Sequence, residues 1–326
     1  MRQLSVLVLG VGRWGRQWLE VLAGRDDVTV AGTVSRHQEV PGPRHYTDYR
    51  QAIAESDADA VLVTLPVHLH ADAIVRSVQA GKHVLCEKPA VRSRQGLAAV
   101  LAAAEKRPDL VVMVAQNYRR RPWAIAMRSL LADGSLGAVG HIGLRFSQPE
   151  LLEGGRTDMQ NPLLEDMSIH HLDLLRYLTG SNAAEVYARE YRPLWSRYRG
   201  APCVDAIVTL ENGLLVSYTG SWAARGRNTS WDGDYTIECE RGVLTMTDGL
   251  FSFDPATGGD IPQMPGTGSA AIAPVSDLER VLDVFQNAVV TGGEPDTSIA
   301  DNSHSMELLF AVQDSVRLRR PVHVGP

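Results

Sequence analysis

The chain has 326 residues, 44% of them hydrophobic and 21% charged, with a formal net charge of −6. That length supports two ordinary domains, and the acidic balance speaks against a nucleic-acid partner, since the one basic run, Arg119-Arg120-Arg121, is too short to form a polyanion-binding stripe. Three widely spaced cysteines, Cys86, Cys203 and Cys239, suit a reducing compartment rather than a disulfide framework, and no stretch nears the length of a membrane span; the expectation is a cytoplasmic protein with a small-molecule ligand and neither membrane nor nucleic-acid partners.

The first apolar run, residues 4–9, is one strand long and flows into Gly10-Val11-Gly12-Arg13-Trp14-Gly15 without a signal-peptide cleavage pattern. A helix follows over 14–23. The spacing assigns a role to each glycine: Gly10 for a tight turn, Gly12 for close approach of backbone amides to a pyrophosphate, and Gly15 for helix–strand packing. Phosphates would then rest on the helix N-terminus, where free N–H groups and the dipole favour anions. Arg13 and Trp14 lie inside this loop, Trp14 reading mainly as a packing residue, as do Trp18 and Trp123.

The second strand, residues 28–34, ends in Thr33-Val34-Ser35-Arg36-His37 with no acidic residue for a ribose diol. Ser35 can hydrogen-bond a 2′-phosphate and Arg36 can pair with it through its planar fork. NADP(H) is therefore the preferred cofactor, with NAD(H) as the other possibility. A short helix near 49–54, a strand at 60–64, a helix at 70–80, a strand at 83–86, a helix at 94–105 and a strand at 110–115 complete an alternation of wholly apolar strands with helices. That pattern predicts a doubly wound parallel sheet.

Glu87-Lys88-Pro89 closes the strand at 83–86, at the carboxyl end where open α/β sheets gather ligands. A lysine fixed there, one mononucleotide-binding unit after the glycine loop, reads as a proton-handling group beside a dinucleotide. His70 could line the cofactor crevice. His68, His70 and His83 lack a matching carboxylate or cysteine set, so no metal site is expected.

After Pro122 the rhythm changes: a helix at 123–132, then period-two segments at 142–146, 186–190, 206–210, 214–218, 235–239 and 242–246. These predict a largely antiparallel sheet with one covered face. The domains are accordingly 1–121, dinucleotide-binding, and 122–326, substrate-binding and oligomerising. Within the second, a helix entered by Asn161-Pro162 and stopped by Gly180 carries Asp166, His170 and Asp173 on one face, with His171 pointing away. Residues 254–274, rich in Gly, Pro, Thr and Ser, read as a surface loop. Two late helices, 278–290 and 300–317, precede a strand at 321–324. Residues 147–158, 191–199 and 221–231 are the candidates for shaping a substrate pocket.

The combination of Gly10-x-Gly12-x-x-Gly15, Ala80-Gly81-Lys82-His83-Val84-Leu85-Cys86-Glu87-Lys88-Pro89, Asp166-x-x-x-His170-x-x-Asp173, Gln116-Asn117-Tyr118-Arg119 and the closing Arg320-Pro321-Val322 resembles the glucose-fructose oxidoreductase and inositol dehydrogenase family, Gfo/Idh/MocA, over nearly the whole chain. The resemblance implies a Rossmann domain followed by an α/β domain with an open sheet, through which dimers or tetramers form. It implies NAD(P)-dependent oxidation or reduction of a sugar, inositol or related alcohol, with Lys88 and His170 transferring protons and Asp166 orienting His170 or binding a hydroxyl. It brings Leu65, Pro66, Glu87, Lys88 and Gln116 to the cofactor. Ser168, where many relatives have Gly, and Leu65, where Thr is frequent, depart from the family pattern and bear on pocket shape. Two rival readings are a reductase of C=C or imine bonds and a non-catalytic nucleotide sensor on the same fold.

Overall fold

A computed structural model describes residues 3–36, 44–149, 157–257 and 276–325. His37, most of the 147–158 segment and the greater part of the 254–274 loop lie outside the described residues.

In chain order the elements are β1 (Leu4–Leu9), α1 (Arg13–Ala23), β2 (Val28–Val34), β3 (His45–Tyr46), α2 (Tyr49–Glu55), β4 (Ala60–Val63), α3 (His70–Gln79), β5 (His83–Cys86), α4 (Arg94–Glu105) and β6 (Val112–Val114). They continue with α5 (Pro122–Ala132), β7 (Val139–Ser147), α6 (Ile169–Thr179), β8 (Ala183–Tyr191), β9 (Cys203–Leu210), β10 (Leu215–Ser221), β11 (Asp234–Cys239), β12 (Gly242–Thr247) and β13 (Leu250–Pro255). The last are α7 (Asp277–Thr291), α8 (Ile299–Leu318) and β14 (Val322–His323). Two compact units divide the chain: Met1–Asn117 with Val275–Met306, and Tyr118–Pro274 with Glu307–Pro326.

The first unit is a six-stranded parallel sheet in the order β3-β2-β1-β4-β5-β6. The strand order steps outward from β1 in both directions, so the crevice at the carboxyl ends of β1 and β4 is the topological switch point. β4 is buried at all four residues, as a strand covered on both faces must be. Val6 and Val8 of β1 pack with Trp18 and Leu22 of α1 and with Val281, Leu282 and Phe285 of α7. Leu7 and Leu9, out of phase by one residue, serve the opposite face. Each such fully buried side chain contributes roughly 1.5–3 kcal/mol relative to exposure.

The 122–326 boundary drawn from the sequence places residues 275–306 in the second domain, whereas they group with the first unit. The reason is the apolar face of α7, whose Val281, Leu282, Phe285 and Ala288 recur at helical spacing and are buried in the parallel-sheet core. Beyond α7 the chain also bridges the edge of β6, Ser298 to Met113, with the Val114 N–H donating to the Thr297 carbonyl at 2.9 Å.

The second unit is an eight-stranded sheet in the order β13-β12-β11-β7-β10-β9-β8-β14. β7 and β10 run parallel and the remaining neighbours antiparallel. Ile142, Leu144 and Phe146 of β7, Val216 and Tyr218 of β10, and Tyr235 and Ile237 of β11 form the buried face, while Arg145, Ser217, Thr219, Thr236 and Thr245 line the other. α6 covers the buried face, its His171 and the preceding Ser168 both reaching the Tyr218 hydroxyl.

Candidate active site

The glycine loop shows why each glycine is required. Gly10 adopts φ +100°, and a Cβ there would lie 2.8 Å from the Thr64 carbonyl oxygen. Thr64 in turn donates its hydroxyl to the Leu9 and Gly10 carbonyls at 3.0 and 2.7 Å, locking the end of β4 to the loop. A Cβ on Gly15 would lie 2.1 Å from the Gly10 oxygen, so no larger residue permits α1 to start this close to the loop. A Cβ added at Gly12 would meet no other described residue within 4 Å, which leaves the approach to the N-terminus of α1 open. That N-terminus has no side-chain cap, and Arg13 and the half-buried Trp14 open the helix beside it.

Glu87 and Lys88 follow β5 directly. Glu87 is buried, accepting from the indole N–H of Trp18 at 2.8 Å and from the Lys88 backbone N–H at 3.2 Å. Burial pushes its carboxyl above the usual range, against the opposing pull of the Trp18 hydrogen bond and the Lys88 charge. Trp18 is wholly buried on α1, so it both packs the core and ties the glycine-loop helix to the strand end bearing Lys88.

His70, at the start of α3, is also buried, and both ring nitrogens face carbonyl oxygens: Nε2 to Leu65 at 2.7 Å and Nδ1 to Pro89 at 3.0 Å. A neutral imidazole carries a single N–H, and burial, outweighing the two carbonyls, holds the ring below its ordinary pKa. The ring therefore sits between the Leu65-Pro66 turn after β4 and the Lys88-Pro89 turn after β5. The Lys88–Pro89 peptide is cis.

Gln116, past the end of β6, is 1% exposed, and neither polar atom of its carboxamide finds a hydrogen-bond partner among the described residues. The open side of Gly12, the uncapped N-terminus of α1 and this unsatisfied buried amide fit a dinucleotide at the carboxyl edge of the sheet. Ser35 is half-buried and Arg36 exposed just past β2. Among the described residues no group of three or more His, Cys, Asp or Glu is placed to hold a metal ion.

In the second unit, the helix that carries Asp166, His170 and Asp173 contains a turn the sequence did not announce. Leu164–Ser168 is a single π-helical turn leading into α6, which ends on Gly180 in the left-handed conformation at φ +63°. π turns insert one residue into the helical register and occur often at functional sites. Asp166 is half-buried on this turn. His170 is buried, its ring stacked on Tyr118 with centroids 4.2 Å apart and planes 15° from parallel. Asp173 is buried in a bidentate pair with Arg119, at 2.7 and 2.6 Å, with Arg176 at 4.0 Å. His171 points to the sheet instead, its Nδ1 3.1 Å from the Tyr218 hydroxyl, and burial pushes its pKa down to about 3. It is a neutral core residue.

The sequence named Tyr118 only within a family motif and Trp231 only within the 221–231 pocket segment, and gave no sign that either, or Arg121 and Asp232, belongs with His170. Arg121 pairs with Asp232, 111 residues away, and the Tyr118 hydroxyl donates to the Trp231 carbonyl at 3.4 Å. The half-exposed Trp231 leans on Trp222 and Phe146 in an aromatic wall.

The chain matches two family models: an oxidoreductase family with an NAD-binding Rossmann fold over residues 4–116, and the GFO/IDH/MocA C-terminal domain over residues 124–245. It is 31% identical to an inositol 2-dehydrogenase of Rhizobium meliloti, covering 98% of both chains, and 31% identical to a levoglucosan dehydrogenase of Pseudarthrobacter phenanthrenivorans over 42% of this chain and 37% of that protein. Two solved structures share the fold: an Agrobacterium radiobacter oxidoreductase in complex with NAD+, L-tartaric acid and magnesium, at TM-score 0.86, 21% identity and 99% coverage of each chain, and a levoglucosan dehydrogenase with NADH and L-sorbose, at TM-score 0.81, 21% identity and full coverage of both. A Rossmann unit with all three glycines in place, a Lys88 turn at the carboxyl edge of its sheet and a second unit built on a mixed open sheet are therefore what this sequence encodes, and the chain belongs to the Gfo/Idh/MocA family of NAD-binding oxidoreductases.

Proposed function

We propose that this enzyme interconverts a secondary alcohol and a ketone on a sugar, an inositol or a related polyol, with NADP(H) preferred over NAD(H). The observation that carries the reading is the Trp18–Glu87 hydrogen bond, which couples the helix suited to a pyrophosphate to the strand end that presents Lys88. The whole-length similarity to an inositol 2-dehydrogenase supports the substrate class. A bound nicotinamide supplies the acceptor or donor of hydride at its C4.

The side chains of the protein handle the proton and the charge. His170 exchanges the proton of the reacting hydroxyl, a task suited to an imidazole whose unperturbed pKa is near 6.5. Asp166, one turn earlier, orients that imidazole or accepts from a neighbouring substrate hydroxyl. Lys88 donates to the carbinol oxygen and stabilises the negative charge that develops on it. Gly10, Gly12, Arg13, Trp14 and Gly15 would hold the cofactor pyrophosphate, and the Leu65-Pro66 turn, Glu87 and Gln116 would contribute further contacts to the cofactor. His70 would support this edge of the sheet, its ring lying between the Leu65 and Pro89 carbonyls, one of which accepts its single N–H.

The NADP(H) preference rests on Ser35 and Arg36, which can bind a 2′-phosphate, and on the lack of an acidic residue at the end of β2. The open, largely polar face of the eight-stranded sheet supports assembly into a homodimer or homotetramer. Three free thiols, Cys86, Cys203 and Cys239, support a reducing, cytoplasmic setting. The test is the rate of reduced nicotinamide formation across inositols, aldoses and ketose-derived polyols, with NADP+ and NAD+ side by side and with Arg36→Ala. Turnover on at least one polyol, with a preference for NADP+ that collapses in the variant, is expected. Absence of turnover on every polyol overturns the substrate class, and an NAD+ preference overturns the cofactor assignment.

A further inference from the structure

We propose that Tyr118, backed by Arg121, is the positioning residue that fixes the imidazole plane of His170; this rests on the role of His170 in proton transfer given above. The second torsion of a histidine is broad and poorly staggered, so a flat group packed on one ring face restricts the plane in which its nitrogens can point, whatever hydrogen bonds the nitrogens themselves make. Here one face is covered by the Tyr118 ring at 4.2 Å and 15°. The Arg121 guanidinium carbon lies 3.6 Å from the same tyrosine centroid. Two groups that close to one ring centre must take opposite faces, so the three side chains form a stack in the order Arg121, Tyr118, His170.

Both Arg121 and Tyr118 are anchored. Arg121 is ion-paired with Asp232, and both are largely shielded, with side-chain exposures of 20% and 17%. The Tyr118 hydroxyl donates to the Trp231 carbonyl at 3.4 Å. The pair therefore draws on the segment between β10 and β11, far along the chain, to hold a ring against α6. His171, the other histidine of that turn, reaches the Tyr218 hydroxyl and meets Tyr118 only edge-on, with centroids 6.5 Å apart and planes at 71°, so it lies outside the face-to-face stack. Neither Tyr118 nor Arg121 exchanges a proton with substrate in this account. Their effect is on where the His170 nitrogens point.

The test compares Tyr118→Leu with Tyr118→Phe, reading kcat, KM, cofactor affinity and the imidazole C–H signals of His170, assigned by difference from His170→Asn. Loss of the flat neighbour in Tyr118→Leu should lower kcat about 10- to 100-fold with KM and cofactor affinity little changed, the scale expected for misaligned reacting groups. Tyr118→Phe, which keeps the ring, should restore most of that rate. The His170 signals should show an upfield ring-current shift in wild type and Tyr118→Phe that disappears in Tyr118→Leu. His170 signals indifferent to Tyr118→Leu, or a Phe variant as slow as the Leu variant, would overturn the proposal. Wild-type turnover in His170→Asn would instead overturn the proton-transfer role, while the ring-current comparison still reports on the stack itself.

Discussion

Separating Arg119 from Asp173 should strongly destabilise the second unit. Their side chains are 4% and 1% exposed, and the guanidinium donates to both carboxylate oxygens at 2.7 and 2.6 Å. Replacing Asp173 with Leu leaves Arg119 charged and buried, with Arg176 drawn toward Asn182, which already accepts from its Nε at 2.8 Å. Breaking one side of such a pair costs about 3–5 kcal/mol. At about 2–4 °C per kcal/mol for a unit of this size, Tm should fall by roughly 6–20 °C. The double replacement Arg119→Met/Asp173→Leu removes both members of the pair and should recover most of the loss, because the pair itself gains little over well-packed apolar side chains. Urea and thermal denaturation of wild type, both single variants and the double variant complete the cycle. A single-variant loss below about 1 kcal/mol would refute the reasoning, since surface ion pairs are worth no more than that. A double variant as unstable as the singles would refute it too.

Gly12→Ala and Gly15→Ala should fail in different ways. The Gly15 methyl would press on the Gly10 carbonyl, an overpacking of about 1–3 kcal/mol that lowers Tm, whereas the Gly12 methyl meets no protein atom within 4 Å and should leave Tm unchanged while weakening reduced-cofactor binding in a fluorescence titration; unimpaired binding by Gly12→Ala would contradict the pyrophosphate assignment. Glu190 supplies a pH dependence. Burial, with a smaller contribution from Glu165, raises its carboxyl to about 7 from 4.5, against the hydrogen bond from Asn161. The folded protein therefore holds a proton that the unfolded chain releases, so this contribution to stability is complete below about pH 4.5 and is lost as pH rises through about 7. Glu190→Gln should flatten the fall in Tm across that window, and an unchanged slope would contradict the assignment.

The parallel sheet was legible because its signals are local. A strand-length apolar run into a glycine loop, and Glu87-Lys88-Pro89 directly after another such run, need no knowledge of distant residues. α6 was legible for the same reason, its stop fixed by Gly180. The two-residue β3 is too short for any period, and β13 buries only Phe253, so it shows no clear alternation. Periodicity told that α7 has an apolar face, but it could not tell which sheet receives it. The π turn at Leu164–Ser168 has no residue signature, and the Arg121–Asp232 and Tyr118–His170 contacts join segments 111 and 52 positions apart. The partner of Arg119 was missed although both residues stood in recognised motifs, because a buried ion pair depends on packing that neither motif specifies. His171 pointed away from His170 as expected from the helical period, and the structure adds what it points at.

The most direct test of the central claim is the turnover of Lys88→Met and His170→Asn on the best polyol, measured alongside cofactor affinity for each variant. The account predicts a loss of about 10²- to 10⁴-fold in kcat for each, the range for a lost general acid–base group, with reduced-nicotinamide binding close to wild type. Near wild-type turnover in either variant would contradict the role assigned to that residue.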